Sequence, residues 1–455
     1  MTRFMQLSWV QVTLLTLVTA AAMPSHAQRK LEVGVGVHMG DYPLPATQAA
    51  LNDLDVGLRG DVPWKDIEVT PGNLQYPTSA SSPLGKLDTL VTNVARRQHR
   101  PVLILAYGNK AYDGGGLITS PRGIDAFAKY AAFTVAHFKG RAEDFEVWNE
   151  WNHGLGVPPE HRVPGDAKAY VNLLRATAQS TKAANPQARV LGGAVAGTDT
   201  AWITQFAQAQ GLQYVDGISV HPYVHCNARA VPRAPADLKL SGKLLNMSSG
   251  ASAIRVSQGV PVLSPVGGTP EQAIAWLDQV KALLDQYSPS RPIPVYVTEI
   301  GWPTSKGQCG IPPAAAAAYL QRFMLLAATR PWIAGVWWYD LFDDGDDPGS
   351  REHRFGLAAK DRSPKPAYSA LTALADVLKS AQPPSEKVDP EGALVITGTD
   401  ARGKPFNASW IPTDLFDVSQ ASSKESQLLK QGFRAQAGGP DPTALSATPL
   451  LMIQK

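Results

Sequence analysis

The chain has 455 residues, enough for one large barrel or for two to three smaller domains. It is 44% hydrophobic and 18% charged, which suits a globular protein with a substantial core. Its 42 basic and 39 acidic residues give a formal net charge of +3. A balance this even does not indicate nucleic-acid binding, so we expect no nucleic-acid partner.

The first 27 residues are typical of a secretory signal peptide. Arg3 supplies the basic n-region, residues 7–22 are mostly apolar, and Ser25-His26-Ala27 is a small-x-small cleavage site. Threonines interrupt the apolar stretch, which argues against a permanent membrane anchor. Cleavage after Ala27 leaves 41 basic and 39 acidic residues, a net charge of +2. The sequence therefore predicts a periplasmic or secreted protein with no stable membrane insertion.

Strand-like and helix-like segments alternate regularly along residues 28–381. The predicted strands are 33–39, 56–64, 102–107, a fourth that ends at Glu150, 190–196, 217–220, 294–299 and 333–339. The predicted helices are 46–54, 84–98, 121–138, 166–184, 202–210, 270–287, 314–329 and 366–379. Eight strands alternating with eight helices predict an α/β protein, a (β/α)8 TIM barrel.

The character of the sequence changes after a Pro-rich linker, residues 382–385. Residues 394–399 and 405–410 predict a β-hairpin, and residues 448–453 predict another strand. About seventy residues are too few for a strong core of their own. We therefore expect residues 386–455 to form a small β-rich module packed on the barrel, either as a stabilising appendage or as a carbohydrate-binding surface.

The two cysteines follow neighbouring predicted strands. Cys226 comes after strand six and Cys309 after strand seven, and export would place both in an oxidising compartment. We predict a disulfide between them, with two free thiols as the alternative. No Cys-x-x-Cys or His-Glu-x-x-His spacing is present, and the acidic residues 343–347 lack the full EF-hand pattern. We expect no metal and no other cofactor.

Two glutamates lie where predicted strands end. Glu150 and Glu299 each close a run of β-branched and aromatic residues, as a buried parallel strand does at the rim of its sheet. In a barrel these ends converge on one face, where catalytic groups lie. Cleavage of a glycosidic bond requires two such carboxyls. A salt-bridge or capping role is the alternative, but Asn149 and the tryptophans at 148, 151 and 302 favour a sugar site.

The longest irregular segment, residues 225–269, is rich in Pro, Gly, Ser and Ala. A segment of this length without clear periodicity is usually either functional or disordered. On the catalytic face, we expect it to form a wall of the cleft.

Several motifs together carry a family resemblance. They are Asn149-Glu150, Glu299, His221-Pro222-Tyr223, Arg59 in strand two and Trp337-Trp338 in strand eight. This pattern resembles the clan A retaining glycoside hydrolases, and is most similar to family 39. It looks especially like the glycosidases encoded with bacterial exopolysaccharide biosynthesis systems, which join such a barrel to a small C-terminal β-domain. The resemblance covers about residues 31–378.

The sequence also departs from the family pattern. The clan usually has Pro after the Asn-Glu pair, whereas Trp151 stands here. Residues 299–305 are also similar to family 17 β-1,3-glucanases. The acid/base assignment carries over, but the shape of the adjacent loop and the substrate do not.

The resemblance implies a double-displacement mechanism. Glu299 would be the nucleophile and Glu150 the acid/base. Arg59 and Tyr223 would keep Glu299 ionised, while a dry setting near Trp148 would keep Glu150 protonated.

The remaining site residues are assigned to substrate. Asn149 would bond the sugar 2-hydroxyl, or else cap the strand end. His221 would orient the nucleophile or satisfy a buried backbone group. Trp338 would form the platform beneath the cleaved sugar, and Trp64, Trp151 and Trp302 would either extend it or belong to the core.

Three functions stay open from the sequence. The favoured one is an exported retaining endo-glycosidase that acts on a bacterial exopolysaccharide, in the vicinity of the exopolysaccharide biosynthesis machinery. The second is a β-1,3-glucanase or xylosidase of the same fold. The third is a non-catalytic polysaccharide-binding or assembly protein. In each case the partner is a polysaccharide or glycoside.

Overall fold

A computed structural model describes residues 30–225, 268–307, 309–389, 392–410, 412 and 449–453. The predicted signal peptide, Cys226 and nearly all of the predicted cleft wall at 225–269 lie outside these ranges.

Eight parallel strands close into a barrel, in which β1 pairs with β8 and each strand pairs with the next. The strands are β1 Glu32–Gly36, β2 Gly57–Pro63, β3 Val102–Ala106, β4 Asp144–Val147, β5 Arg189–Ala196, β6 Gly217–His221, β7 Val295–Ile300 and β8 Ile333–Trp338. Strands β3, β4, β6, β7 and β8 are buried throughout, as expected for parallel strands covered by helices. The predicted TIM barrel is confirmed.

Eight helices follow the strands around the barrel. They are Leu44–Leu54, Pro83–Arg96, Pro121–His137, Ala167–Ala184, Thr200–Gln208, Pro270–Tyr287, Pro313–Ala328 and Pro366–Leu378. Side-chain caps mark four of these starts, since Ser82, Ser120, Asp166 and Asp199 each accept a hydrogen bond from a backbone N–H of the first turn. An additional short helix, Trp64–Ile67, begins where the sequence predicted the last residue of strand two.

A separate antiparallel sheet follows the barrel, in the order β12-β11-β10-β9. Its strands are β9 Ser385–Val388, β10 Leu394–Thr399, β11 Pro405–Trp410 and β12 Leu450–Ile453. The predicted hairpin is β10 and β11, and β12 lies within the predicted last strand. Strand β9 was not predicted, and its first residue, Ser385, was assigned to the linker. It is a short and largely exposed edge strand without apolar alternation, so it left no signal in the sequence.

The sheet packs against two barrel helices. The indole N–H of Trp410 donates to Glu271 Oε1 (2.9 Å), and Arg330 bridges Glu386 of β9 (2.6 Å) to Asp278 (3.1 Å). The apolar face of the sheet, including Ile396 and Trp410, is part of the same core as the barrel helices. Within the described ranges, none of the helices combines the length and the hydropathy that a membrane crossing requires.

Candidate active site

Glu150 is presented by an irregular stretch after β4. The ladder ends at Val147, after which the Trp148 N–H donates to Leu105 O of β3 (2.9 Å) and the Glu150 N–H donates to Ala194 O of β5 (3.0 Å). Trp148 and Glu150 have φ of 68° and 51°, in the left-handed region that non-glycine residues disfavour. The backbone is therefore held in a costly conformation by bonds to both neighbouring strands, as is common at functional sites.

Glu299, near the end of β7, is held by two groups. Arg59 Nη1 donates to its Oε1 (2.6 Å), and the Tyr223 hydroxyl donates to its Oε2 (2.9 Å). Burial acts to raise the pKa of Glu299, but the charges of His221 and Arg59 and these hydrogen bonds outweigh it, so that the pKa is lowered. The site thus keeps this carboxylate ionised, as a nucleophile requires.

Arg59 also holds two other groups. Its Nε donates to Glu146 Oε2 (2.7 Å), and its Nη2 donates to Asn149 Oδ1 (2.9 Å). The guanidinium is only 5% exposed, so these contacts are made almost without water. A single buried cation therefore fixes the positions of Glu299, Glu146 and Asn149 relative to one another.

Glu150 and Glu299 meet at His221. His221 Nδ1 lies 2.8 Å from Glu150 Oε1 and 3.6 Å from Glu299 Oε2. One oxygen of Glu150, one oxygen of Glu299 and a ring nitrogen of His221 all lie within 4.8 Å of one another. Retaining glycosidases hold their carboxyls about 5 to 5.5 Å apart, and inverting ones about 6.5 to 9.5 Å. The pair therefore has the close spacing of a retaining enzyme.

His221 is fully buried and its other nitrogen is also bonded. Nε2 lies 3.1 Å from Thr298 Oγ1, and the Thr298 hydroxyl donates to Glu146 Oε1 (2.7 Å). Burial lowers the pKa of His221, but the charges of Glu299 and Glu150 and the hydrogen bond to Glu150 outweigh it, and the pKa is raised. Glu150 is thus hydrogen-bonded to His221. The indole N–H of Trp148, the residue expected to set the surroundings of Glu150, donates to Leu155 O instead.

Glu146 and Thr298 were not predicted from the sequence to belong to the site. A signal was available for Glu146, because a charged residue between Phe145 and Val147 of a buried strand needs a buried partner. Arg59, a buried positive charge within β2, is that partner. Thr298 gave no such signal, since threonine is common in strands.

A second polar group on this face was also missed. His38 Nδ1 bonds Asp344 Oδ1 (2.9 Å) and lies 3.8 Å from Asp340 Oδ2, which accepts the Tyr42 hydroxyl (2.7 Å). Burial lowers the pKa of His38, but the hydrogen bond to Asp344 and the charges of Asp340 and Asp344 raise it to about 9. These side chains lie just after β1 and β8, and Tyr339 between them contacts Tyr223 edge-on at 6.3 Å.

The acidic residues 343–347 are engaged in ion pairs. Asp343 pairs with Lys365 and with Arg354 Nη1 (3.3 Å), and Asp346 pairs with Lys360 (2.6 Å). These pairs connect the loop after β8 to the segment that precedes the last barrel helix.

The predicted tryptophans divide into two groups. Trp64 and Trp151 are 0% exposed and hydrogen-bonded to Glu68 and Asp166 O, and each packs among other aromatic rings. They are core side chains. Trp302 and Trp338 lie at the ends of β7 and β8 and contact each other with ring centres 5.9 Å apart. They are also buried, at 1% exposure each, and belong to the same core cluster. Among the described residues Trp338 Nε1 has no hydrogen-bond partner.

Cys309 lies in the loop after β7, as expected. Its predicted partner, Cys226, is outside the described residues, so the pairing of the two stays a prediction.

The chain was compared with known proteins. No protein-family model matches it. It is 26% identical over 305 residues to a β-xylosidase of Geobacillus stearothermophilus, a match that covers 63% of this chain and 54% of that protein. The chain thus spans about half the length of this curated relative.

Among solved structures, a family 39 glycoside hydrolase from Bacteroides cellulosilyticus WH2 superposes with a TM-score of 0.63 at 25% identity, over 85% of this chain and 71% of that one. The chain is most similar to family 39 of the clan A glycoside hydrolases.

A β-xylosidase from Caulobacter crescentus CB15 gives a TM-score of 0.55 at 18% identity, over 85% of this chain and 75% of that one. A GH5_18 protein from Streptomyces cattleya, solved in complex with GlcNAc, gives the same score and identity over 78% and 82%. At 18% identity, these two similarities show only that the chain has the same fold as those proteins.

Proposed function

We propose that the chain is an exported retaining glycoside hydrolase that cleaves a bacterial exopolysaccharide internally, by double displacement. The observation that carries this proposal is the close placement of Glu150 and Glu299, whose nearest groups lie within 4.8 Å around His221. The similarity to family 39 glycoside hydrolases supports the same class of reaction.

In the first step Glu299 attacks the anomeric carbon of the sugar. A bond forms between that carbon and a Glu299 oxygen, and the bond to the leaving oxygen breaks with its electron pair. Glu150 supplies the proton that the leaving oxygen takes up. Arg59 and Tyr223 hold Glu299 ionised and aimed for this attack.

In the second step water displaces Glu299 from the anomeric carbon. Glu150, now a carboxylate, takes a proton from water while the water oxygen bonds to the anomeric carbon and the ester to Glu299 breaks. Asn149 Oδ1 accepts from Arg59, so its Nδ2 donors face away from the guanidinium. We assign Nδ2 to the sugar 2-hydroxyl.

The N-terminal residues support the finer part of the proposal. Residues 1–27 have the composition of a signal peptide, which would bring the enzyme to polysaccharide outside the cytoplasm. A second candidate is a β-xylosidase, which the name of the curated relative favours.

The experiment is a hydrolysis assay of the mature protein, from Gln28 onward. Exopolysaccharide from the source organism, a β-1,3-glucan and an aryl β-xyloside are each incubated with wild type, Glu150→Gln and Glu299→Gln. We expect the wild type alone to release oligosaccharides from the exopolysaccharide, with a loss of roughly 10²–10⁴-fold in Glu150→Gln. Proton NMR of the first product should show the anomeric configuration of the substrate.

Glu160→Gln is the matched control, since Glu160 is exposed in a loop of the same face. It should retain full activity. Turnover of the aryl xyloside only would select the second candidate. Binding of polysaccharide that is equal in all variants, without any turnover, would refute a hydrolase and favour a binding protein.

A further inference from the structure

We propose that Thr298 and Glu146 are positioning residues that fix a proton on His221 Nε2, so that His221 Nδ1 and Glu150 hold the catalytic proton as one unit. The chemical meaning of this inference rests on the proposed function, but the arrangement itself is a property of the free protein.

The proton count begins at Glu146. Both of its oxygens are occupied by donors, since Oε2 accepts from Arg59 Nε (2.7 Å) and Oε1 accepts from the Thr298 hydroxyl (2.7 Å). A carboxylate paired with a guanidinium is an acceptor only. The single hydroxyl proton of Thr298 is therefore committed to Glu146.

Thr298 Oγ1 can then only accept from its other neighbour. That neighbour is His221 Nε2, at 3.1 Å. For the contact to be a hydrogen bond, Nε2 must carry the proton. Arg59 Nη2 lies 3.4 Å from Nε2, at the long end of the hydrogen-bond range. Its two protons have nearer acceptors in Glu146 Oε2 (2.6 Å) and Asn149 Oδ1 (2.9 Å), so Nε2 is not needed as their acceptor. The buried pair of Thr298 and Glu146 thus selects one tautomer of His221.

With Nε2 protonated, the exchangeable site of His221 is Nδ1. It lies 2.8 Å from Glu150 Oε1, so one proton is shared between them. Either Glu150 carries it and Nδ1 accepts, or His221 is a cation and donates to the carboxylate. In both forms the pair contains the proton that acid catalysis needs.

The nucleophile controls where that proton lies. Glu299 Oε2 is 3.6 Å from Nδ1, and its negative charge favours the cationic form of His221. That charge is lost when Glu299 forms the ester bond. The proton therefore leaves Nδ1 for Glu150 as the leaving oxygen takes a proton from Glu150. In the second step the proton removed from water returns to the pair, and ester cleavage restores the Glu299 charge.

The charged and titratable groups that face His221 come from four strands or their ends. They are Arg59 of β2, Glu146 and Glu150 at β4, Tyr223 after β6 and Glu299 of β7. Of these, Glu146 reaches His221 through Thr298 and through Arg59. Removal of the Thr298 hydroxyl therefore tests the tautomer without a change of charge in the site.

The first experiment observes the imidazole nitrogens of the free protein by NMR. Mature protein is labelled with ¹⁵N-histidine, and the His221 signals are those absent from His221→Asn. We expect wild type to show a protonated Nε2 throughout the titration, with Nδ1 as the nitrogen that changes. Thr298→Ser retains the hydroxyl and should reproduce this pattern, whereas Thr298→Val should show a mixture with the Nδ1–H tautomer.

The second experiment compares leaving groups on the sugar that the hydrolysis assay identifies. A glycoside with a poor leaving group needs the acid, whereas a dinitrophenyl glycoside does not. Thr298→Val should lose about 10-fold in kcat/KM on the former and remain within about 2-fold on the latter. Thr298→Ser should restore both. A merely structural role would lower both rates equally.

A bare Nε2 in wild type, or the wild-type pattern in Thr298→Val, would overturn the inference. The wild-type spectrum decides the matter even if Thr298→Val does not fold. Absence of hydrolysis by wild type would instead refute the proposed function and leave the tautomer result intact.

Discussion

At the scale of single residues, Arg59 has the largest energetic role in the site. Its buried guanidinium pairs with both Glu146 and Glu299, and so offsets part of the repulsion between two carboxylates in a poorly hydrated barrel. Loss of one member of a buried ion pair typically costs about 3–5 kcal/mol, because the other charge remains without compensation. The residue that positions Glu299 thus also stabilises the fold around it.

His38 predicts a pH dependence of stability. Its pKa is raised from 6.5 to about 9 in the folded protein by Asp344 and Asp340 against the effect of burial. The stabilisation is therefore complete below pH 6.5 and is lost as the pH rises to 9. The side chain is 30% exposed, so solvent screening limits the contribution to about 2 kcal/mol.

The measurement is urea unfolding of wild type and His38→Gln at pH 6 and pH 9.5. We expect wild type to exceed the variant by more at pH 6 than at pH 9.5. His161→Gln, at an exposed position, should behave as wild type at both values. An equal gap at the two pH values would show that His38 is not held as a cation.

The backbone at Glu150 predicts an unusual order of stability. Because φ is 51°, a residue with a Cβ is strained there by roughly 1–2 kcal/mol relative to glycine. Glu150→Gly and Glu150→Ala both remove the carboxyl and its bond to His221. Their difference isolates the backbone, and we expect the Gly variant to be the more stable by about 1 kcal/mol.

The control for this pair is the exposed Asp125 in the helix Pro121–His137. There Ala should be more stable than Gly, in the order usual for helices. Chemical denaturation of the four variants gives both differences. The same order at the two positions would contradict a left-handed conformation at Glu150.

At the scale of elements, the contact between the C-terminal sheet and the barrel converges on Glu271. It pairs with Arg322, which is 0% exposed, and accepts the indole N–H of Trp410. Glu271→Ala would remove the carboxylate partner of a buried guanidinium and a bond to the sheet. We expect a loss of about 3 kcal/mol in the free energy of unfolding, measured in urea.

The matched control is Asp125→Ala, which removes an exposed partner of Lys129 on another helix. Its free energy of unfolding should equal that of wild type within error, because exposed pairs contribute little. A similarly small effect of Glu271→Ala would mean that the sheet and the barrel are not joined through this pair.

The accuracy of the element predictions followed the strength of local signals. The helix that begins at Pro270 was predicted with the observed bounds, since Thr269 and Gln272 form a capping box before an apolar stripe. Strand one was predicted too long. Its ladder ends at Gly36 because the chain turns at His38, whose carbonyl accepts the N–H groups of Asp41 and Tyr42.

At the scale of the whole molecule, the topology of the barrel accounts for what the sequence revealed of the site. Arg59, Glu150, His221, Tyr223 and Glu299 were singled out on separate segments, and barrel closure brings them into contact. This was foreseeable because strand ends of a barrel share one face. The group of His38 with Asp344 was missed, because His38 was placed within predicted strand one and Asp344 was considered only as part of an EF-hand-like loop.

The attachment of the C-terminal sheet has a consequence for long polymers. Trp410 bonds the helix Pro270–Tyr287, and Glu386 pairs with Arg330 just after the helix Pro313–Ala328. The sheet is therefore fixed on the barrel and does not move as a module on a flexible linker would. Any sugar site on it would lie at a fixed separation from the cleft. Only oligosaccharides long enough to span that distance would bind both sites at once. Affinity would then rise sharply at one chain length, which is set by the distance between the sheet and the cleft.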